Sequence, residues 1–180
     1  MMDKVEIRFS GSGGQGLILA ARILASALVA EGRNVAQSQS YEPVSRGGLS
    51  RSDLVVSDGE ADFPLSSGLG YLLVLDDAAA SASDGVLNPD TVVLVDSELV
   101  PNPPKGLFKT KSLPFTETAR TLGNKRVANI VALGALTASG AICDDAALEN
   151  AVRAMTPPKF TDLNLEALDA GRRLVSVEAA

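Results

Sequence analysis

A glycine-rich turn near the start of the chain constrains the fold more than any other feature. Residues 5–9 form a short run typical of a β-strand, and an apolar helical stretch begins about six residues later. Between them lies the turn Gly11-Ser12-Gly13-Gly14-Gln15-Gly16. Glycines at this spacing let the backbone approach a diphosphate, and the following helix start offers free N–H groups. The residues equally allow a second interpretation, in which the glycines only permit close packing against the helix.

The position that usually binds a ribose carries no acid. In dinucleotide-binding domains an Asp or Glu ends the second strand, about 20 residues after the glycines. Here residues 34–40 read Asn-Val-Ala-Gln-Ser-Gln-Ser, and Glu42 is the first acid that follows. Ordinary NAD binding is therefore disfavoured. Two interpretations of the glycine turn remain, in which it binds a phosphate or only allows close packing.

Composition excludes several classes of function. The chain has 180 residues, 46% hydrophobic and only 4% aromatic, which predicts an aliphatic core suited to a parallel sheet covered by helices. Its net charge of −6 argues against nucleic acid as a partner. There is no His and one Cys, so His catalysis and four-Cys iron–sulfur ligation within this chain are impossible. The longest apolar stretch, 17–30, is too short to span a bilayer. A cytoplasmic protein without membrane insertion is expected.

Strand and helix patterns alternate without a linker, which predicts a single domain over residues 1–180. Strands are predicted at 5–9, 34–38, 50–57, 71–75 and 91–95, and helices at 15–32, 116–122, 127–139, 144–155 and 162–175. The small residues of 127–139 predict that another element approaches closely. The apolar stretches 17–30 and 128–136 exceed what a small sheet needs, so both are expected to leave apolar surface for partners.

A polar stretch after the second strand is the next candidate site. It combines an aromatic ring, arginines that suit phosphate or carboxylate, and paired glycines that allow close backbone approach. The candidates are Tyr41, Arg46, Gly47, Gly48 and Arg51. The alternative is that the two arginines pair with the neighbouring acids Glu42 and Asp53. Judged on the residues alone, this alternative is slightly favoured.

The entry to the predicted helix at 127–139 offers a third group. Lys125 and Arg126 could hold an anion, although ordinary solvated charge is the favoured interpretation, and Asn129 could fix a neighbouring backbone segment. Cys143 is interpreted as a small buried residue, because no His is available to activate it.

Four motifs in order resemble the gamma subunits of 2-oxoacid:ferredoxin (acceptor) oxidoreductases. They are the Gly11–Gly16 turn, the Tyr-to-Ser stretch containing Arg-Gly-Gly at 41–52, the helix motif Asn-x-Val-Ala-Leu-Gly-Ala-Leu at 129–136, and the spaced residues Lys159, Asn164, Ala167 and Gly171. The resemblance covers almost the whole chain.

The resemblance implies an α/β fold: one Rossmann-like layered domain with a mostly parallel sheet and helices on both faces. It also implies a larger enzyme that decarboxylates a 2-oxoacid on thiamine diphosphate, forms its acyl-coenzyme A and passes electrons through iron–sulfur clusters to ferredoxin or another acceptor. Thiamine diphosphate, Mg and the clusters would belong to partner subunits. Which 2-oxoacid is used stays open.

This chain would then pack on the catalytic subunits and help form the coenzyme A side of the site. No catalytic residue and no metal ligand are expected in it, and the isolated chain is expected to be inactive. Predicted contacts are Gly11, Ser12, Gly13, Gly14, Gln15, Gly16, Tyr41, Arg46, Gly47, Gly48, Arg51 and Asn129. A stand-alone nucleotide-binding redox domain and a purely structural subunit are the alternatives.

Overall fold

Six strands form one sheet in the computed structural model, which describes residues 4–42, 48–59, 61 and 68–178, with side chains to residue 176. The strands are β1 (Lys4–Ser12), β2 (Asn34–Tyr41), β3 (Leu49–Ser57), β4 (Tyr71–Val74), β5 (Val92–Asp96) and β6 (Lys109–Leu113). Residues 43–47 fall outside this description, and with them the predicted contacts Arg46 and Gly47.

The strand order is β2-β3-β1-β4-β5-β6. β1, β4, β5 and β6 pair in parallel, whereas β3 is antiparallel to both of its neighbours. β2 therefore runs in the same direction as β1, and β3 alone is reversed among the described strands. The predicted mostly parallel α/β sheet is confirmed.

Five α-helices lie on one side of the sheet. They are α1 (Leu17–Ala30), α2 (Phe115–Thr121), α3 (Ala128–Gly140), α4 (Asp145–Met155) and α5 (Thr161–Glu178). Helices α1 and α3 contact the strands, α4 packs on α1 and α5 packs on α3. Their apolar side chains join alternate residues of the strands, such as Ile7, Phe9 and Leu73, in one buried core. The alternation follows from the two-residue period of a strand, which sends successive side chains to opposite faces.

The second face has a smaller core covered by short 3₁₀ helices, Asp77–Ala79 and Asp84–Val86. On this face the guanidinium of buried Arg8 donates to both carboxylate oxygens of Asp53, at 2.8 and 2.7 Å, and to Ser83 Oγ at 3.2 Å. The strand register places Arg8 opposite Asp53. Removing one member of such a buried pair would leave the other charge without compensation. The predicted helical layer on this side is thus made of 3₁₀ turns.

Helices α3 and α5 pack against each other at a distance that only small residues allow. A Cβ built on Gly171 would collide with the carbonyl oxygen of Val131, and a Cβ on Gly134 would collide with the carbonyl oxygen of Leu168. The predicted close approach to this helix is confirmed, and its partner is α5. The motif residues Ala167 and Gly171 are therefore packing residues.

The expected exposure of the stretch 128–136 is wrong. Residues Asn129–Thr137 of α3 are all buried within this chain, because the sheet and α5 cover them. In α1 the structure exposes Leu19 and Val29 and buries most of the other apolar side chains. The apolar excess of α3 thus serves the internal core.

We predict that Gly171→Ala destabilises the fold by about 1–3 kcal/mol, the usual cost of inserting atoms into a packed interior. The added methyl group must push α5 away from the Val131 carbonyl. Gly85→Ala is the matched control, since a Cβ at this exposed glycine meets nothing within 4 Å. Urea denaturation followed by circular dichroism measures both. Equal midpoints for the two variants would contradict the close-packing assignment.

Candidate functional site

The glycine turn joins the carboxyl end of β1 to α1 and is held by the side chain of Gln15. Gln15 Oε1 accepts a hydrogen bond from the backbone N–H of Ser12 at 2.8 Å, and its Nε2 donates to the carbonyl of Leu75 at 2.7 Å. Leu75 follows β4, so one amide fastens the turn to the neighbouring strand. The role of Gln15 is therefore to position the turn.

The glycines of the turn divide into two kinds. Gly11 and Gly16 are packed, because added Cβ atoms would collide with Gln15 and Asn129 respectively. Gly13 and Gly14 are exposed, and a Cβ on either would meet nothing within 4 Å. Gly14 adopts φ 90° and Gly16 φ 74°, which disfavour any residue with a Cβ. The packing interpretation therefore holds for Gly11 and Gly16, whereas Gly13 and Gly14 border open space and their contact with a diphosphate stays a prediction.

Asn129 links the turn to α3. Its Nδ2 donates to the carbonyl of Gly16 at 3.0 Å, and its side chain is buried. The prediction that Asn129 fixes a neighbouring backbone segment is confirmed, and Gly16 is that segment. No side chain caps the start of α1, so the N–H groups of its first turn are left for solvent or a ligand.

A cleft of about 320 Å³ opens beside the turn. It lies at the carboxyl ends of β1, β4 and β5, where the chain leaves neighbouring parallel strands in opposite directions. Ligands of open α/β sheets commonly bind at such a switch point. The described residues that line it are Gly14, Gln15, Leu75, Asp96, Glu98, Leu99, Thr116, Arg120, Lys125, Arg126 and Ala128.

The acidic side chains of the cleft already accept hydrogen bonds from other residues of the chain. The buried carboxylate of Asp96 accepts from the N–H groups of Glu98 and Leu99 and from both N–H and hydroxyl of Thr116, at 2.7–3.1 Å. Glu98 accepts from Arg120 at 2.8 Å, and this hydrogen bond raises the pKa of Arg120. Asp96 therefore organises the cleft wall, and Arg120 carries a charge that Glu98 balances.

Lys125 and Arg126 form the basic side. Both are exposed, on the short 3₁₀ helix Lys125–Val127, whose N–H at Arg126 is capped by the side chain of Asn124 at 3.0 Å. Neither makes an ion pair with any part of the chain that the structure describes. Two cations without an ion pair to the described residues therefore border the same cleft as Gly14, and anion binding by them stays a prediction.

Only some of the contact residues predicted in the polar stretch after β2 lie close to the glycine turn. The carbonyl of Gly48 accepts from the N–H of Gly13 at 3.1 Å, which fixes the start of β3 beside the glycines. Tyr41 ends β2 and is 71% exposed. Arg51 lies on β3 opposite Ser10, with no ion pair to the described residues and no place in the described cleft lining.

The alternative pairing of Arg51 with Asp53 is not what the structure has, because Asp53 binds Arg8. Glu42 accepts from the N–H of Leu49 at 3.3 Å. The sequence reasoning missed Glu98, Thr116 and Arg120 as cleft residues. The available signal was positional, since residues after successive parallel strands converge at one edge of the sheet.

Cys143 is half-buried and unsuited to nucleophilic chemistry. Burial, followed by the nearby carboxylate of Glu31, raises the pKa of its thiol to about 12. The reactive thiolate is therefore scarce at neutral pH.

Within the described residues, no group of three His, Cys, Asp or Glu side chains could hold a metal ion. None of the described helices is long and apolar enough to cross a membrane.

The chain belongs to the pyruvate ferredoxin/flavodoxin oxidoreductase family, which residues 6–174 match. It is 48% identical over 139 residues to the 2-oxoglutarate synthase subunit KorC of Archaeoglobus fulgidus, covering 77% of this chain and 72% of that protein. The KorC subunit of Methanothermobacter thermautotrophicus is 36% identical, with 94% of each chain covered.

Solved structures agree with this assignment. The gamma subunit of a keto/oxoacid ferredoxin oxidoreductase from Geobacter sulfurreducens PCA is 39% identical and superposes with a TM-score of 0.85, covering 96% of this chain and 99% of its own. A 2-oxoglutarate:ferredoxin oxidoreductase from Magnetococcus marinus has the same fold, with TM-score 0.84 and 22% identity. This chain covers 31% of that longer chain and is itself 97% covered. The resemblance to gamma subunits of 2-oxoacid:ferredoxin oxidoreductases is confirmed.

We predict that Gly14→Ala lowers the free energy of unfolding by about 1–2 kcal/mol, the cost of a left-handed conformation for a residue with a Cβ. Gly13→Ala is the control, because its Cβ enters equally open space without the left-handed φ. Chemical denaturation compares the two variants with the parent. A loss of stability as large in Gly13→Ala would show that crowding, and not backbone conformation, selects glycine in this turn.

Proposed function

We propose that this chain is the gamma subunit of a thiamine-diphosphate-dependent 2-oxoacid oxidoreductase, and that its cleft binds the diphosphate of coenzyme A. The observation that carries the proposal is a convergence at one edge of the sheet. The open glycines, the uncapped start of α1 and the unpaired Lys125 and Arg126 all meet there. Backbone N–H groups at a helix start and nearby cations are the groups that bind phosphates in proteins.

The cofactor chemistry is assigned to partner subunits. This chain has one Cys and no His, too few for a four-Cys cluster. Its own residues would orient coenzyme A and balance its charge. The cleft volume of about 320 Å³ is at the small end for a ligand pocket, so it would hold one part of coenzyme A while the rest lies against partners. The Magnetococcus marinus enzyme is described with 2-oxoglutarate, coenzyme A and succinyl-CoA bound, which supports this reading.

The polar stretch would serve a second anionic part of the ligand. Gly48 touches the glycine turn through its carbonyl, and Arg51 is a cation without a described partner two positions into β3. Together with Tyr41, Arg46 and Gly47 it is proposed to contact the remaining phosphate or the base of coenzyme A.

A stand-alone dinucleotide-binding domain is disfavoured by the strand order. β3 lies between β1 and β2, so the carboxyl end of β2 is one strand further from the glycine turn than in ordinary dinucleotide-binding folds. No acid occupies residues 34–41 in any case. The ribose contact of such domains therefore has no counterpart here.

The kinetic test uses the intact complex. Lys125→Ala and Arg126→Ala should each raise KM for coenzyme A about tenfold, because one lost charge-assisted contact costs about 1.5 kcal/mol. KM for the 2-oxoacid should stay within about twofold. Arg153→Ala removes an exposed cation of α4 remote from the cleft and serves as the control. If coenzyme A kinetics are intact in both cleft variants, or if the 2-oxoacid KM rises instead, the cleft assignment is wrong.

The subunit assignment predicts the partners. Native purification of this chain through an affinity tag should recover a thiamine-diphosphate-binding chain and a cluster-binding chain. The recovered complex should reduce ferredoxin with a 2-oxoacid and coenzyme A, while the separated chain should not. The relatives named 2-oxoglutarate synthase favour 2-oxoglutarate over pyruvate and ketoisovalerate in this assay. Turnover by the chain alone at the rate of the complex would refute the subunit role.

A further inference from the structure

Three of the described residues that line the cleft are cations, and Arg120 is the one that an acid holds in place. Its Nη2 donates to Glu98 Oε1 at 2.8 Å, and the two side chains remain 57% and 42% exposed. A guanidinium has five N–H donors, and the structure gives Arg120 no second acceptor among the described residues. The remaining N–H donors of Arg120 are therefore left for solvent or a ligand.

One buried carboxylate fixes both members of this ion pair. Asp96 Oδ1 accepts from the backbone N–H of Glu98 at 2.9 Å. Its Oδ2 accepts from the backbone N–H and the hydroxyl of Thr116 at 2.8 and 2.7 Å. Thr116 lies in the first turn of α2, and Arg120 follows one turn later on the same side of that helix. Because the end of β5 and the start of α2 are tied together, Arg120 loses little further freedom when it binds a ligand, and such preorganisation favours affinity.

We propose that Arg120 binds the diphosphate of coenzyme A directly and that Glu98 positions its guanidinium for this contact, an inference that rests on the proposed function of the cleft. A diphosphate offers several anionic oxygens, and a planar guanidinium can donate to two of them at once. Arg120 lies on α2, whereas Lys125 and Arg126 lie on the 3₁₀ helix that follows it. The three cations therefore border the cleft from two consecutive elements, which suits a ligand with more than one phosphate.

Glu98 has two opposite effects on such a ligand. Its hydrogen bond orients Arg120, which favours binding, whereas its negative charge repels a phosphate. Glutamine keeps an acceptor oxygen and removes the charge, so Glu98→Gln should bind coenzyme A about threefold more tightly than the parent. Glu98→Ala loses the acceptor as well, so it should bind coenzyme A less tightly than Glu98→Gln. Weaker binding by Glu98→Gln than by the parent would overturn the positioning role.

Equilibrium binding of coenzyme A to the intact complex tests the direct contact. Arg120→Ala should raise the dissociation constant at least about tenfold, because one charge-assisted contact is lost. Turnover at saturating coenzyme A and KM for the 2-oxoacid should both stay within about twofold, since only binding of coenzyme A is affected. Arg173→Ala is the matched control, because Arg173 is also an exposed arginine paired with a carboxylate, that of Asp169, and is not part of the described cleft lining.

A double variant separates a ligand contact from the effect of an unpaired acid. In Arg120→Ala alone, Glu98 loses its partner and would repel the ligand by itself. Combining Arg120→Ala with Glu98→Gln removes that repulsion, so a loss of at least about fivefold relative to Glu98→Gln should remain. An affinity equal to that of Glu98→Gln would show that Arg120 only neutralises Glu98, and the proposal would be wrong.

Dephospho-coenzyme A identifies the group that Arg120 contacts, because it keeps the diphosphate and lacks the phosphate on the ribose. Arg120→Ala should weaken its binding by the same factor as that of coenzyme A, and a loss confined to coenzyme A would refute the assignment. Lys125→Ala and Arg126→Ala are measured in the same assay. If they weaken binding and Arg120→Ala does not, the role of Arg120 alone is wrong. If none of the three variants changes binding, the cleft does not hold coenzyme A, and the proposed function fails together with this inference.

Discussion

The contact between Asn129 and Gly16 holds the candidate site together. Asn129 lies in the first turn of α3 and donates to the carbonyl of Gly16 just before α1, at a position where any Cβ would collide with the Asn129 amide. Two elements more than a hundred residues apart are thereby fixed at one point. Because Lys125 and Arg126 immediately precede α3, the same contact holds their short helix beside Gly14. The rigidity comes from α3 itself, which is buried by α5 and the sheet.

The reversed strand β3 decides what kind of ligand the turn can serve. Lying between β1 and β2, it brings its own start, at Gly48, against Gly13. The neighbour of the glycines is therefore a carbonyl and a polar stretch, where a dinucleotide-binding fold places the end of its second parallel strand. It also moves β2 to the rim of the sheet that the structure describes. One reversal thus accounts for the distance between the glycine turn and the end of β2, where a ribose contact would lie.

Local features of the fold could be predicted from sequence, whereas long-range ones could not. The apolar runs of β4 and β5 predict buried strands, and the glycines between β1 and α1 predict the turn. The sequence predicts strands that end at 38 and begin again at 50, yet β2 continues to Tyr41 and β3 begins at Leu49, because pairing with each other satisfies their polar backbone. The burial of α3 depended on α5, whose position no local pattern reveals. The cleft residues Glu98 and Arg120 come together because of the order of the strands in the sheet, which local sequence patterns do not give.

Because the whole chain is acidic, any affinity of the cleft for an anion must come from the groups inside the cleft. The chain carries a net charge of −6, so its overall field repels a polyanion. At physiological salt that field is screened beyond about 8–10 Å, which leaves the groups inside the cleft to set the interaction. There the described lining carries three cations, Arg120, Lys125 and Arg126, against the two carboxylates of Asp96 and Glu98. Asp96 accepts four hydrogen bonds from the chain and Glu98 pairs with Arg120, so Lys125 and Arg126 are left without an ion pair among the described residues. This local excess of cations is what makes a basic site possible in an acidic protein.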